Sequence, residues 1–340
     1  MESETSLPLE CSPAITTHSV DEEMVFSHEF MDLLSTLPKE RTFFGTNIYQ
    51  YKGFWFLALP LHGMIECQQQ FKPRRNDIFL VTPPKSGTTW FKAIIYTLLN
   101  RQVYHPQDPH HPLLTNTPHQ LVPFINLLKP SEYDSISNSP DSSSRIFSAH
   151  MPTVILPKSV LEDNDSSNCK IVYLCREIKD TFVSFFHFVN KNVDLSSCSL
   201  ENAFNLYSRG VSPAGPVWDQ IIGYWKESLE RPNKVLFMRY EDMKNEPYVQ
   251  LRRLARFLGK PLSEEEENSG VLDKIVKLCS IDNLRNLEVN KSGTTSIGLK
   301  NHTFYRNGQV GDWKKYLTSE MASKLDHITE EKFRGSGLSF

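Results

Sequence analysis

An apolar, strand-forming run, Ile78-Phe79-Leu80-Val81-Thr82, passes through Pro83-Pro84-Lys85-Ser86-Gly87-Thr88-Thr89-Trp90 into Phe91-Lys92-Ala93-Ile94-Ile95-Tyr96-Thr97-Leu98-Leu99, which reads as a buried helix. The order strand, tight loop, helix constrains this chain more than any other feature. A loop at such a junction turns its backbone N–H groups, and the positive end of the helix dipole, toward one spot, and that spot attracts an anion. Gly87 permits close backbone approach. Lys85 supplies a mobile cation, and Ser86, Thr88 and Thr89 supply hydroxyl donors. The set suits a phosphate or a sulfate, with Trp90 placed to stack on a base.

The loop departs from the Walker A pattern, which sets its Lys after a second Gly. Here Lys85 precedes the loop's only Gly. Further short apolar runs at 145–149, 171–175 and 235–238 read as buried strands. Helical patterns follow them, from about Lys179, from Trp218, and through Leu251, Leu254, Ala255 and Leu258, which share one helical face. Ser263 with Glu266 has the form of a capping box for a helix reaching Cys279. Strands alternating with helices predict an α/β fold: a single domain with a central parallel sheet flanked by helices. In such sheets ligands sit beyond the carboxyl ends of the strands. Lys85, His150, Arg176 and Tyr240 each stand just after a strand.

The 340 residues are 39% hydrophobic, enough for a sizeable core. Net charge is −3 with both signs mixed, so the clustered basic footprint of a nucleic-acid binder is missing. Residues 1–25 read as a flexible N-terminal tail and 26–340 as the folded domain. The first twenty residues carry Glu2, Glu4 and Glu10 and no secretory pattern, and the longest apolar stretch, at 54–61, is too short to span a bilayer. The six cysteines, Cys11, Cys67, Cys169, Cys175, Cys198 and Cys279, lack zinc-type pairing. A cytoplasmic protein with reduced thiols and no membrane or nucleic-acid partner is expected. The Pro- and His-rich segment 101–123 and the Ser-rich 131–144 read as surface loops.

The loop resembles the 5′-phosphosulfate loop, P-K-S-G-T-T-W, of the cytosolic sulfotransferases, which use 3′-phosphoadenosine 5′-phosphosulfate (PAPS). Four further segments follow in that family's order: 145–152, 172–180 with Ser184, 235–242, and 305–314. Together they cover roughly residue 35 to the C-terminus. Thr117-Pro118-His119-Gln120-Leu121-Val122-Pro123-Phe124 and Leu287-Glu288-Val289-Asn290-Lys291 look like the plant branch, whose members include flavonol and hydroxyjasmonate sulfotransferases.

The resemblance implies roles residue by residue. His150, after a strand and before Met151-Pro152, would be the general base; His119, in a Pro-flanked loop, is its rival. Lys85 would assist the leaving group and, with Ser86, Gly87, Thr88 and Thr89, hold the 5′-phosphosulfate. Arg176 and Ser184 would bind the 3′-phosphate together with Arg306-Asn307-Gly308, where Asn307 stands in place of the family's Lys. The bland alternative for Arg176 is a salt bridge to Glu177 or Asp180. Trp90 and Tyr240 match adenine-contacting positions, and Ile281 stands where a Phe is usual. Ser148 replaces a Lys found two residues before the base in animal members. The family's dimer motif falls on Lys314, Thr318, Ser319 and Ser323 without its Val and Glu, so no such dimer is inferred. No metal is implied. The acceptor would be a small, largely apolar hydroxyl compound such as a flavonoid, hydroxyjasmonate, steroid or desulfoglucosinolate. Phe43, Phe44, Tyr49, Trp55, Phe186, Phe188 and Tyr207 are candidates to line its site. Two other readings stay open on sequence: a nucleotide-dependent phosphoryl transferase on the same framework, and an inactive PAPS-binding homologue.

Overall fold

The computed structural model describes residues 26–138, 144–162, 168–193 and 199–340. The expected tail, 1–25, lies outside the described residues, as do Cys11 and Cys198.

Four strands form the central sheet: β4 (Ile78–Val81), β5 (Ile146–Ala149), β6 (Lys170–Cys175) and β7 (Val235–Arg239). Their order is β5-β4-β6-β7 and every pair is parallel. Both faces are covered, which is why these strands read as continuous apolar runs. Phe79, Val81, Phe147, Ile171 and Tyr173 enter one core, while Ile78, Leu80, Ile146, Val172 and Leu174 enter the other. The alternation follows the two-residue period of a strand. Phe79 and Phe147 lie 5.7 Å apart, stacked; truncating either to Ala is expected to cost about 3–5 kcal/mol.

The longer helices are α1 (His28–Thr36), α2 (Ala58–Gln70), α3 (Thr88–Asn100), α4 (Ile178–Asn192), α5 (Leu200–Ser208), α6 (Val217–Glu230), α7 (Pro247–Phe257), α8 (Val271–Leu278) and α9 (Ser319–Phe333). Leu61 of α2, Phe182 of α4, Phe204 of α5, Trp218 of α6 and Leu325 of α9 fill the first core. Phe91 of α3, Leu251 of α7 and Ile275 of α8 fill the second. At the amino ends of β4 and β5, Arg145 and Asp77 form a fully buried ion pair that ties the strands together. The pair lies at the opposite end of the strands from the candidate site.

Two expectations change and one sheet is new. The capping box Ser263–Glu266 is present, but the helix it opens ends at Asn268. Gly270, at φ +69°, breaks the chain and caps the separate helix α8. The segment 101–123 is not a surface loop throughout. His111, Leu113 and Val122 are fully buried, and Pro118–Leu121 forms a short capped helix against α3. The N-terminal region adds an unanticipated antiparallel sheet: β1 (Lys39–Arg41), β2 (Asn47–Tyr51) and β3 (Phe54–Phe56).

Candidate active site at the carboxyl ends of the sheet

The loop after β4 is bent by two residues with positive φ, Lys85 at +67° and Gly87 at +105°. Gly87 is the N-cap of α3. A Cβ on Gly87 would lie 2.7 Å from the Tyr240 ring, so the position demands glycine for space as well as for conformation. The first-turn N–H groups of α3 have no partners within the helix and face this bend. The hydroxyls divide. Thr88 is paired with Thr82 at 2.6 Å, and Thr89 with His119 Nε2 at 3.1 Å. Ser86, expected among the loop's hydroxyl donors, is fully buried with an unpartnered Oγ, and its side chain does not line the cavity.

His150 follows β5 directly. Its Nδ1 lies 2.7 Å from the carbonyl of Thr82, the residue just after β4. A carbonyl only accepts, so Nδ1 carries the proton and Nε2 keeps a lone pair. Burial pulls the His150 pKa down to about 4. The Thr82 bond opposes this, and Lys92 and Lys85 reinforce it. The imidazole is therefore neutral at pH 7. Lys85 stands over the Phe188 ring at 3.8 Å and near Phe304 at 5.5 Å. Burial, then Arg306, Arg176 and Lys191, lowers its pKa to about 7. A cation held among cations calls for an anion.

Arg176, after β6, donates to the Gln309 carbonyl at 2.7 Å and lies 3.3 Å from Asp180. The fully buried Asp180 carboxylate also accepts from the Gly311 and Trp313 N–H groups, at 2.8 and 3.0 Å. Asp180 thus fastens the loop 306–313 to α4. Arg306 and Asn307 of that loop, and Lys315 just beyond it, all bond to Asp312. The side chain of Asn307 is therefore engaged inside the loop. Tyr240, after β7, donates to the Gly308 carbonyl at 2.9 Å, lies under the Arg176 guanidinium and meets Trp90 edge-on at 5.1 Å. Ile281 packs against Gly308, where a Cβ would meet it at 2.9 Å. Buried Nε atoms of Arg176 and Arg306 have no partner. These orphaned donors, the positive field and the cleft between Trp90, Tyr240 and Ile281 fit a nucleotide with phosphates at two positions.

One cavity of about 690 Å³ joins these residues, within the usual range for a small-molecule site. Lys85, Gly87, Thr88, Thr89, Trp90, His150, Arg176, Ser184, Tyr240, Arg306, Asn307 and Gly308 all line it. The lining also includes the apolar side chains of Phe44, Phe56, Met64, Phe124, Phe185 and Val193. Of the aromatics nominated from sequence, Phe44 and Phe188 reach it. Phe43, Tyr49 and Phe186 do not. Trp55 instead packs with Ile48 and Val211, and Tyr207 with Phe182 and Trp218. Ser148 faces away, fully buried, its hydroxyl on the Pro123 carbonyl at 3.1 Å. That contact draws segment 117–124 against β5 and places Phe124 4.7 Å from the His150 ring. Among the described residues no cluster of His, Cys, Asp and Glu could hold a metal ion, and no helix is long and apolar enough to cross a membrane.

Comparison with known proteins supplies the family. The sulfotransferase domain matches residues 75–337. Cytosolic sulfotransferase 6 of Arabidopsis thaliana is 45% identical over 322 residues, covering 92% of this chain and 95% of its own. Cytosolic sulfotransferase 8 of the same plant is 46% identical over 315 residues, covering 92% and 93%. A solved Arabidopsis thaliana sulphotransferase superposes with a TM-score of 0.71 at 36% identity, covering 98% of this chain and all of that one. Mouse sulfotransferase SULT7A1, solved in complex with PAP, gives 0.65 at 25% identity, covering 85% and 95%. These matches decide for sulfuryl over phosphoryl transfer. The chain belongs to the sulfotransferase family, in its plant cytosolic branch.

Proposed function

We propose that this enzyme moves the sulfuryl group of PAPS to a hydroxyl of a small, largely apolar acceptor in the cytosol, acting through one catalytic domain, 26–340. The observation that carries the reading is that one cavity is lined together by His150 and Lys85, by the cationic side chains of Arg176, Lys191 and Arg306, and by the aromatic side chains of Phe44, Phe56, Phe124 and Phe185. His150 Nε2 takes the acceptor hydroxyl proton as the acceptor oxygen bonds to sulfur. The bond from sulfur to the bridging oxygen breaks, and adenosine 3′,5′-bisphosphate (PAP) leaves with the electron pair. Lys85 meets the charge that develops on that oxygen. Loop residues 85–90 hold the 5′ end. Arg176, Ser184 and the 306–308 loop hold the 3′-phosphate, and Trp90 and Tyr240 flank the adenine. Flavonoids, hydroxyjasmonates and steroids suit the apolar part of the lining by chemistry.

The test incubates the protein with labelled PAPS and a panel of plant hydroxyl metabolites, then identifies labelled products by mass. Wild type should label at least one acceptor, and His150→Ala should label none while still binding PAP. Binding of PAP without turnover on any acceptor would instead indicate an inactive homologue. Turnover by His150→Ala above half of wild type would exclude His150 as the base.

A further inference from the structure

Lys92 has no part in the function proposed above, yet it is a fully buried lysine beside the phosphosulfate loop. It lies three residues beyond Thr89 on α3, so the two share a helical face. Among the described residues no carboxylate lies within ion-pair distance of it. Its Nζ sits 3.0 Å from Nδ1 of His119 and 3.6 Å over the Phe124 ring. The other nitrogen of His119, Nε2, sits 3.1 Å from the Thr89 hydroxyl. The imidazole is clamped between Phe124 and Phe304, at 5.8 and 4.3 Å. Three polar groups are thus threaded into a line that ends at the loop.

The line has a direction when Lys92 is an ammonium. An ammonium has no lone pair, so Nδ1 must accept from it. Nε2 then carries the ring proton and donates to Thr89. The Thr89 oxygen is used as an acceptor, which leaves its own hydrogen to point elsewhere. Thr89 lines the cavity, so that hydrogen is available to an anion there. Burial without a counter-ion disfavours the ammonium in the free protein, and the Lys92 pKa is lowered accordingly. An anion at the loop reverses that balance.

We propose that Lys92 and His119 are positioning residues which act through Thr89, orienting its hydroxyl as a donor to the 5′-phosphosulfate end of the bound nucleotide. The proposal rests on the donor site assigned above. It gives His119 a role other than that of a rival base. It also gives a use to a buried lysine in a wall that a methionine would fill more cheaply in desolvation.

The experiment measures binding of two nucleotides by calorimetry: PAP, which has the 5′-phosphate, and adenosine 3′-phosphate, which lacks it. The proteins are wild type, Lys92→Met, Thr89→Val, the double variant, and His119→Phe, which keeps the ring packing and removes both nitrogens. Lys92→Met and Thr89→Val should each weaken PAP by about five- to tenfold. The double variant should be no weaker than the worse single variant, because both break one line. Adenosine 3′-phosphate should bind all proteins alike. His119→Phe should reproduce Lys92→Met, and stands in for it if that variant does not fold. Losses that multiply in the double variant, or that fall equally on both nucleotides, would overturn the relay. Failure of wild type to bind PAP would instead overturn the donor site on which it rests.

Discussion

The depressed Lys85 pKa makes a prediction about rate against pH. In the free protein Lys85 has its pKa lowered from 10.5 to about 7, by burial first and then by Arg306, Arg176 and Lys191. The other groups near it, His150 and His119, are held neutral and do not oppose the shift. In the proposed role, the charged form is the one that grips the donor. Capture of PAPS should therefore be complete below pH 7 and decline as pH rises through it. On the acid side His150 must be neutral, which it is down to about pH 4. The free enzyme's values govern kcat/KM, so kcat/KM for PAPS should be bell-shaped, with limbs near those two values. Once PAPS is bound, one negative charge about 4 Å from the ammonium contributes about 4 kcal/mol at an effective dielectric of about 20. At about 1.4 kcal/mol per unit, that raises Lys85 by about three units, to about 10. The alkaline limb of kcat should then lie about three units above that of kcat/KM. Initial rates at saturating acceptor, with PAPS varied across pH 4 to 10, separate the two profiles. Lys85→Arg, always charged, should lose the alkaline limb from kcat/KM whatever its residual rate. A wild-type kcat/KM that stays flat from pH 6 to 9 would refute the reasoning.

Other perturbations test neighbouring parts. His150→Ala should lower kcat by about 10²–10⁴ with PAP affinity nearly intact, since the proposed role of His150 is to act on the acceptor proton. Gly87→Ala places a Cβ 2.7 Å from the Tyr240 ring at a φ of +105°, so stability should fall by about 1–3 kcal/mol, read as a lower melting temperature. Asp180→Ala removes the acceptor of two backbone N–H groups and the partner of Arg176; a urea midpoint corresponding to a loss of about 3–5 kcal/mol, with unchanged slope, is expected. Asn307→Lys should tighten PAPS by about 0.5–1 kcal/mol in calorimetry at low salt and less at high salt. It should do little for adenosine 5′-phosphosulfate, which lacks the 3′-phosphate.

The parts that were legible in sequence are those dictated by local pattern. β4 to β7 showed as short apolar runs because both faces of the sheet are buried. The loop 83–90 showed because strand, small residues and helix occur together. The N-terminal sheet was missed, although a signal existed. Tyr51 pairs with Phe54 across Lys52-Gly53, both at positive φ, a two-residue turn of the kind that a Gly in second place favours. Strands of three to five residues with mixed exposure carry little periodic signal beside it. Gly270 likewise marked the break before α8. The burial of segment 101–123 was hidden by its Pro and His content. What drives it inward is pairing with distant residues: Pro123 with Ser148, and His119 with Lys92. Asp180 was visible only as an ordinary ion-pair partner, because the N–H groups it binds lie more than a hundred residues away.

A net charge of −3 conceals the electrostatics that matter here. Around one cavity the fold gathers Lys85, Arg176, Lys191 and Arg306, with Lys92 behind the wall. Carboxylates are present but turned away: Asp180 holds backbone and Arg176, and Asp312 holds Arg306, Asn307 and Lys315. They fix the geometry of the arginines without cancelling the field at Lys85, whose pKa stays low. Fully paired cations would stabilise the free protein more and bind a phosphate less, since each would have to break a bond first. An incompletely balanced site reverses both effects. It costs stability in the free protein and returns it on binding, by about 2.7 kcal/mol at a ligand concentration a hundredfold above Kd. The same imbalance that destabilises Lys85 as a cation is what would make its charge available, in the proposed reaction, when the bridging oxygen becomes negative.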